Sequence, residues 1–181
     1  FAEYDILHNL SYKSTFSTDL SLGSQKIFMP TFDLGIGSND PNRPAYEWRE
    51  TNVLIQAENK YTNWQWENLV SYDQELNNGN KLDIIAGYSA LYNEYSNLVG
   101  VRDSLATNDP DQAFLNNSIN SAEQAPQSSG GISQSAFLST FIRTNYEIGN
   151  QLSFSGTVRR DGSSKFGENN RYGVFPSFSA A

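Results

Sequence analysis

The chain has 181 residues, a formal net charge of −8 and no cysteine. Its length is sufficient for one ordinary domain. The negative charge argues against a nucleic-acid partner, because phosphate binding needs clusters of lysine and arginine. The lack of cysteine excludes both a disulfide framework and thiolate metal sites. No run of about 18 apolar residues occurs, so no transmembrane helix is predicted.

The first predicted strand lies at residues 9–21, where polar and apolar side chains alternate. Odd positions are polar, whereas even positions include Leu10, Tyr12, Phe16 and Leu20. A period of two indicates a strand with one polar and one apolar face. The stretch exceeds the length of about 5–6 residues that is usual for globular strands. It meets the ~9–11 residues that a strand needs to cross a bilayer.

Further alternating stretches follow, joined by connections of two kinds. Long polar loops are predicted at about residues 23–48, 96–133 and 159–173, and short turns at residues 77–80 and 149–150. The first short turn contains Asn78-Gly79, and Asn-Gly is the strongest short hairpin signal. Long and short connections therefore alternate, as they do between the two ends of an outer-membrane barrel.

One position interrupts the alternation. Apolar residues occupy odd positions up to Tyr61 and even positions from Trp64 onward. This change indicates either a hairpin turn or a β-bulge at Thr62 and Asn63, because a shift of one residue exchanges the two faces of a strand. A hairpin between two membrane strands would place the long loop at 96–133 on the side of the short turns. A bulge, or a hairpin above the membrane, is therefore favoured.

These patterns predict an all-β fold, namely a segment of an antiparallel transmembrane β-barrel. About six or seven such strands do not close a large barrel, and open sheet edges are costly in lipid. We therefore interpret residues 1–181 as part of a larger barrel domain. The alternative is a soluble β-sandwich that binds glycan, in which the apolar stripes pack against each other. A hydrolase on a β scaffold is a weaker third hypothesis.

The C-terminal part of the chain carries a distinctive motif, RDGSSKFG followed by NRYGVFPSFS, at residues 160–179. It resembles the signature of the SusC/RagA family, which are TonB-dependent outer-membrane transporters of Bacteroidetes. Weaker resemblance extends over residues 66–72, 82–89 and 135–146. The signature positions are Arg160, Asp161, Gly162, Ser163, Ser164, Phe166, Gly167, Arg171, Gly173 and Pro176.

The resemblance implies a bacterial outer-membrane barrel of about 22 strands around a plugged lumen. It implies a plug domain, not visible in this chain, through which TonB acts, and a SusD-like surface lipoprotein over the outer mouth. It also implies nutrient uptake, with oligosaccharide or peptide as cargo and outer-membrane lipid around the barrel. An enzyme is not expected, and no catalytic, cofactor or metal residues are predicted.

The residue types of the motif favour a structural role. Asp161 and Gly162 are expected to form a turn with one left-handed position, with Ser163 and Ser164 hydrogen-bonded to nearby backbone. Pro176 is expected near the start of a strand, where a missing ladder donor is tolerated. Direct contact of the motif with cargo or lid is the weaker alternative.

Other candidate residues are few. Tyr46 and Trp48 lie next to a predicted outer loop and are able to stack on a sugar, although a packing or membrane-interface role is favoured. His8, the single histidine, is expected on the surface near a strand start. Residues 108–111 are rich in calcium-type oxygen ligands but lack EF-hand spacing, so a solvated turn is favoured. The glutamates at 47, 58, 67 and 75 are scattered, so they single out no pair for glycoside hydrolysis.

Overall fold

The computed structural model describes residues 1–35, 48–119, 127–149 and 151–181. These residues form nine strands and three short 3-10 turns, at Asn77–Gly79, Pro110–Gln112 and Glu168–Asn170. None of the helical turns in these ranges has the length and apolar character of a membrane-crossing helix. The strands are β1 (Ala2–Leu7), β2 (Leu10–Met29), β3 (Phe32–Asp33), β4 (Trp48–Arg49), β5 (Val53–Glu75), β6 (Lys81–Asp103), β7 (Gln127–Ile148), β8 (Leu152–Ser163) and β9 (Tyr172–Ala180).

Seven strands form one sheet in the order β1-β2-β5-β6-β7-β8-β9, while β3 and β4 form a separate two-stranded sheet. The pairs β1–β2, β7–β8 and β8–β9 are antiparallel. The predicted all-β antiparallel fold is therefore confirmed. The β-sandwich alternative is wrong for the described residues, because these seven strands lie in one sheet and not in two packed sheets.

Short connections join β5 to β6 and β7 to β8, as predicted. The first contains Gly79, whose φ of 75° is left-handed, and a 2.8 Å hydrogen bond from Leu76 N to Asn80 O closes it. The second contains Gly149, whose φ is 53°, while Asn150 lies outside the described residues. Glycine adopts a left-handed conformation without the steric cost that a Cβ atom brings.

The strands extend further than the side-chain alternation predicts. β2 continues through Gly23 to Met29, β6 continues to Asp103, and β8 ends only at Ser163. The predicted loop bounds 23–48, 96–133 and 159–173 are wrong at these ends. A ladder is built from backbone groups, so a neighbouring strand maintains it where side chains no longer alternate. Long and short connections still alternate from β1 to β8.

Of the two alternatives for residues 62–63, the hairpin is wrong, because β5 is one uninterrupted strand of 23 residues. The ring centroids of Tyr61 and Tyr95 lie 4.5 Å apart, and those of Trp64 and Tyr92 lie 5.9 Å apart. The same number of residues separates the two contacts on both strands, as in a regular antiparallel ladder. The apolar stripe therefore changes position within one continuous strand.

The chain divides into two compact units. The first consists of Phe1–Leu20, Thr62–Glu94 and Gln134–Ala181, and the second of Ser21–Tyr61 and Tyr95–Ser133. The second unit has a small apolar core. Its members are Leu54, Leu105 and Ala113, with Phe28 and Leu115 packed against them.

The side chain of Asn52 holds the segment that follows β6. Asn52 is only 4% exposed. Its Nδ2 donates to Leu105 O at 3.1 Å and to Thr107 O at 2.7 Å, and its Oδ1 accepts from Leu105 N at 2.6 Å. These bonds satisfy backbone groups beside an apolar core. The prediction of an unstructured loop is therefore wrong for residues 104–119.

In the first unit, the register of β7, β8 and β9 assigns side chains to two faces. Ile142 lies opposite Val158, and Val158 lies opposite Pro176. Because side chains alternate along a strand, even positions share one face and odd positions share the other. The apolar face carries Leu138, Ile142, Tyr146, Phe154, Val158, Val174 and Phe178. The polar face carries Ser139, Arg143, Asn145, Ser155, Thr157, Arg159, Asp161 and Ser177.

Candidate functional site

A cavity of about 560 Å³ lies over the polar face near the end of β8. Strands β5 to β9 and the connection after β8 supply its lining, all of it within the first unit. Both polar side chains and phenyl rings line it, as in many ligand sites. The lining includes Gln65, Ser89, Phe137, Ser139, Arg159, Asp161, Phe166, Arg171 and Phe175.

An ion pair forms part of this lining. Nε of Arg159 lies 2.7 Å from Oδ1 and 2.9 Å from Oδ2 of Asp161, and Nη2 of Arg159 donates to Ser139 Oγ at 3.3 Å. Both side chains of the pair are partly exposed, so the pair contributes only about 0–1 kcal/mol to stability. Its main effect is to hold one positive and one negative side chain in place at the cavity wall.

Gly162 lies within β8, so the predicted turn at Asp161 and Gly162 is wrong. Its register partners are Leu138 and Tyr172. The ring of Tyr172 occupies the space in which a Cβ atom of residue 162 would lie, and the Arg160 guanidinium lies 4.1 Å from the centroid of that ring. Close approach of an aromatic side chain, and not a left-handed φ, is therefore what requires glycine here.

The two serines after Gly162 tie the end of β8 to its neighbours. Ser164 N donates to Ala136 O at 2.9 Å, and Ser164 Oγ accepts from Ala136 N at 2.9 Å. Ser163 N donates to Arg171 O at 3.0 Å, and Ser163 Oγ accepts from Lys165 N at 3.3 Å. Hydrogen bonds to β7 and across to Arg171 thus fix the point at which the chain leaves β8.

Pro176 lies in the middle of β9, and its predicted place near the strand start is wrong. Ser153 and Ala181 exchange two backbone hydrogen bonds, of 2.7 and 2.9 Å. Hydrogen-bonded pairs alternate along an antiparallel ladder, so Val158 and Pro176 form a non-hydrogen-bonded pair. The ring nitrogen of Pro176 therefore faces away from β8, and the β8–β9 ladder loses no donor.

The remaining signature positions lie around the cavity. Phe166 is 61% exposed and lines the cavity together with Arg171. Gly173 also lines it, and the ring of Phe175 lies where a Cβ atom of residue 173 would be. Gly167 lies in the connection between β8 and β9, with open space around its missing side chain.

Of the two predicted substrate-contact residues, only Trp48 belongs to the described part of the chain, and it does not line this cavity. Tyr46 lies outside the described residues. Trp48 is half-buried in β4, where it pairs with Asp33 of β3. His8 lies exposed in the turn between β1 and β2, as predicted.

Residues 108–111 form a turn, as predicted. Asp109 Oδ1 accepts a hydrogen bond from Asp111 N at 3.0 Å and caps a 3-10 turn. Asn108 bonds through its side chain to both backbone groups of Thr31, at 2.8 and 3.1 Å. No cluster of three or more histidine, aspartate or glutamate side chains suited to a metal ion occurs in the described part of the chain.

Several lining residues were missed by the sequence analysis. Arg159 and Ser139 are 20 positions apart in the chain, and only the register of β7 against β8 brings them together. The available signal was the alternation along β7 and β8, in which Ser139 and Arg159 occupy odd positions and apolar residues occupy even ones. It assigns a face to each residue but does not say which residues are neighbours across the sheet.

Comparison with known proteins decides the family. TonB-dependent receptor P3 of Formosa agariphila is 31% identical over 183 residues, covering 98% of this chain and 16% of the receptor. This chain belongs to the TonB-dependent receptors. TonB-dependent receptor P39 of the same organism is 29% identical over 123 residues, covering 66% of the chain and 11% of that receptor. No protein-family model matches the sequence.

Solved structures of the RagAB peptide transporter share the fold of this receptor segment. Three of them align with TM-scores of 0.81, 0.76 and 0.73, at 18%, 20% and 21% sequence identity. Each alignment covers 98% of the segment and 18% of the solved chain. The segment therefore has the strand arrangement of an outer-membrane transporter barrel, and the predicted resemblance is confirmed. It spans about a sixth of the length of these relatives.

Proposed function

We propose that the receptor segment is part of the barrel wall of an outer-membrane transporter that imports oligosaccharides or peptides. The observation that carries this proposal is the two-faced sheet, with an apolar face on one side and a 560 Å³ cavity over the other. In outer-membrane barrels the apolar face contacts lipid and the polar face lines the lumen. The cavity then opens onto the path of the cargo.

Exposed side chains on the apolar face support this orientation. Val174 is 62% exposed and Phe178 is 74% exposed, and Ile142 and Val158 are about half exposed on the neighbouring strands. A contiguous apolar surface of this kind marks a contact with a partner or a membrane. Under the proposal, lipid covers it.

The lengths of the connections orient the segment across the membrane. Outer-membrane barrels have short periplasmic turns and longer extracellular loops. The turn at residues 76–80 is then periplasmic, while the segment at 104–119 and the connection at 164–171 are extracellular. The cavity and the signature residues Gly162 and Ser164 accordingly lie near the outer end of β8.

Further parts of the proposed transporter lie outside this chain. A plug domain on which TonB acts supplies energy, and a SusD-like surface lipoprotein delivers cargo at the outer mouth. The family and the shared fold with RagAB, a peptide transporter, support these partners. The signature residues hold the outer ends of β8 and β9 in register, and none of them is assigned a catalytic step.

A growth assay with the intact receptor tests the proposal. Deletion of its gene is expected to abolish growth on a cargo drawn from a panel of oligosaccharides and peptides. Arg159→Gln removes a charge from the cavity wall and is expected to lower uptake about tenfold, because hydrogen bonds to charged groups contribute about 1.5–3 kcal/mol. Arg143→Gln is the matched control, since Arg143 shares the polar face but does not line the cavity.

The outcomes separate the function from the role of the cavity. Uptake that is independent of the gene, or a receptor that does not fractionate with the outer membrane, contradicts the proposed function. Equal uptake by the Arg159→Gln and Arg143→Gln receptors, at equal abundance in the membrane, contradicts only the assignment of the cavity to cargo.

A further inference from the structure

The charges that line the 560 Å³ cavity over the polar face do not cancel. Two guanidinium groups, of Arg159 and Arg171, and one carboxylate, of Asp161, belong to the lining. The lining therefore carries one net positive charge, although the whole chain has a formal net charge of −8. The other two charged residues of the connection after β8, Lys165 and Glu168, are opposite in sign and do not line the cavity. A net positive lining in an acidic chain favours an anionic ligand.

The first of these arginines is held by its neighbours. Arg159 donates through Nε to both carboxylate oxygens of Asp161, at 2.7 and 2.9 Å, and through Nη2 to Ser139 Oγ at 3.3 Å. These bonds fix the guanidinium, and the carboxylate offsets its charge at close range. The pair therefore offers an incoming molecule a fixed polar edge with little net charge.

The second arginine, Arg171, supplies the positive charge that remains. Its backbone oxygen accepts from Ser163 N at 3.0 Å, which fixes the base of its side chain beside the end of β8. Its side chain is exposed and makes no hydrogen bond or ion pair with other residues in the described ranges. A planar guanidinium with free N–H groups binds a carboxylate through two parallel hydrogen bonds.

The register places Arg159 further inward than Arg171. Ser163, which bonds to Arg171, follows Arg159 by four positions on β8, roughly 13 Å in an extended strand. Phe137 lies opposite Ser163, and Phe175 lies opposite Arg159. Both phenyl rings line the cavity. A molecule held at Arg171 by an anionic group thus has apolar surface along its path inward to the ion pair.

We propose that this cavity selects acidic cargo, with a carboxylate of the cargo at Arg171 and the rest of the molecule against Phe137 and Phe175. The proposal rests on the proposed function, because the transporter barrel turns this face towards the cargo. A carboxylate is the anionic group that a peptide carries at its C-terminus and that a uronic acid carries in an oligosaccharide. The proposal goes beyond transport in making Arg171 a residue that determines specificity.

Binding to the full-length receptor, purified in detergent, tests the site with two pairs of probes. The first pair is an N-acetylated tetrapeptide library without aspartate or glutamate, with a free or an amidated C-terminus. The second pair is a set of oligogalacturonides with free or methyl-esterified carboxyl groups. Bound probe is measured by mass spectrometry. In at least one pair the free acid is expected to bind about tenfold more tightly than its neutral partner, because hydrogen bonds to charged groups are the stronger ones.

Three variants ask whether Arg171 is the cause. Arg171→Gln is expected to reduce the preference for the free acid to less than about threefold, because the amide keeps donors but loses the charge. Arg171→Lys is expected to retain part of the preference, since lysine keeps the charge but not the paired geometry. Arg143→Gln is the matched control. Arg143 shares the polar face without lining the cavity, so this variant is expected to keep the full preference.

Every outcome bears on the proposal. Preference for the acid in either pair supports it, and the pair that shows the preference identifies the source of the carboxylate. Equal binding of acid and neutral probes in both pairs overturns it, as does a failure of every acid probe to bind. Equal loss of preference in the Arg171→Gln and Arg143→Gln receptors also overturns it. If uptake still requires the gene while no acid preference exists, the selectivity fails and the proposed function stands. Uptake that does not require the gene contradicts the proposed function itself.

Discussion

Replacing Gly162 with alanine is expected to destabilise the outer end of β8 by about 2 kcal/mol, through a steric conflict with one aromatic ring. In the native sheet the ring of Tyr172 lies where the new Cβ atom would be placed. The ring must move, and its contact with the Arg160 guanidinium, now 4.1 Å from the ring centroid, is lost with it.

The magnitude follows from three contributions. Displacing a packed side chain costs about 1–3 kcal/mol, and loss of an exposed cation–π contact costs about 0.5–1 kcal/mol. Replacing glycine also restricts the unfolded chain, which offsets about 0.4–1 kcal/mol. Tyr172 is 50% exposed, so its ring has space to swing outward and the steric cost stays well below the upper limit.

Urea unfolding of the intact receptor in detergent micelles, followed by tryptophan fluorescence, measures this change. Gly156→Ala is the matched control, because residue 156 lies on the same strand and the same face with nothing within 4 Å of a new Cβ atom. We expect that control to change the free energy of unfolding by less than about 0.5 kcal/mol.

A double-mutant cycle decides whether the ring is the cause. In a Tyr172→Ala background the clash is absent, so Gly162→Ala is expected to cost less than about 0.5 kcal/mol. An undiminished cost in that background would refute the steric reasoning. So would a Gly156→Ala variant that loses as much stability as Gly162→Ala.

Two further predictions concern side chains that bind backbone groups. Asn52→Ala removes three hydrogen bonds from a buried site and is expected to loosen residues 104–119 by about 2–4 kcal/mol, seen as faster limited proteolysis there. Asn108→Ala, at an exposed site, is expected to leave the cleavage rate nearly unchanged, and equal rates in the two variants would contradict the role of Asn52. Ser164→Ala removes the acceptor for Ala136 N and is expected to cost about 0.5–1.5 kcal/mol, with faster amide exchange at Ala136. Unchanged exchange there would show that the hydroxyl group does not hold the end of β8.

The strands and their faces were predictable because alternation is a local property of the sequence. The Asn78-Gly79 turn was equally local, since the left-handed preference of glycine operates within a few residues. The C-terminal motif was sufficient to identify the family before any contact was known.

Non-local contacts explain what the sequence did not reveal. Asp161 and Gly162 carry the residue types of a turn, but pairing with β7 and β9 keeps them extended. Tertiary pairing overrides a turn preference in this way because it satisfies backbone groups on both sides. The contact between Arg159 and Ser139 likewise depends on register, and the bond from Asn52 to Leu105 joins residues 53 positions apart.

The central position of Pro176 has a consequence for association between molecules. Even-numbered residues of β9 direct their backbone N–H and C=O groups away from β8. The strand therefore has a second edge, and because Pro176 has no N–H group, that edge lacks a donor at its middle. An unprotected edge is a template for pairing with another chain, and proline is one of the residues that blunt such an edge. A foreign strand that approaches β9 meets two short runs of donors in place of one continuous row. In the proposed closed barrel, a strand that pairs with this edge has to accommodate the missing donor, whereas a second copy in random register gains little from docking.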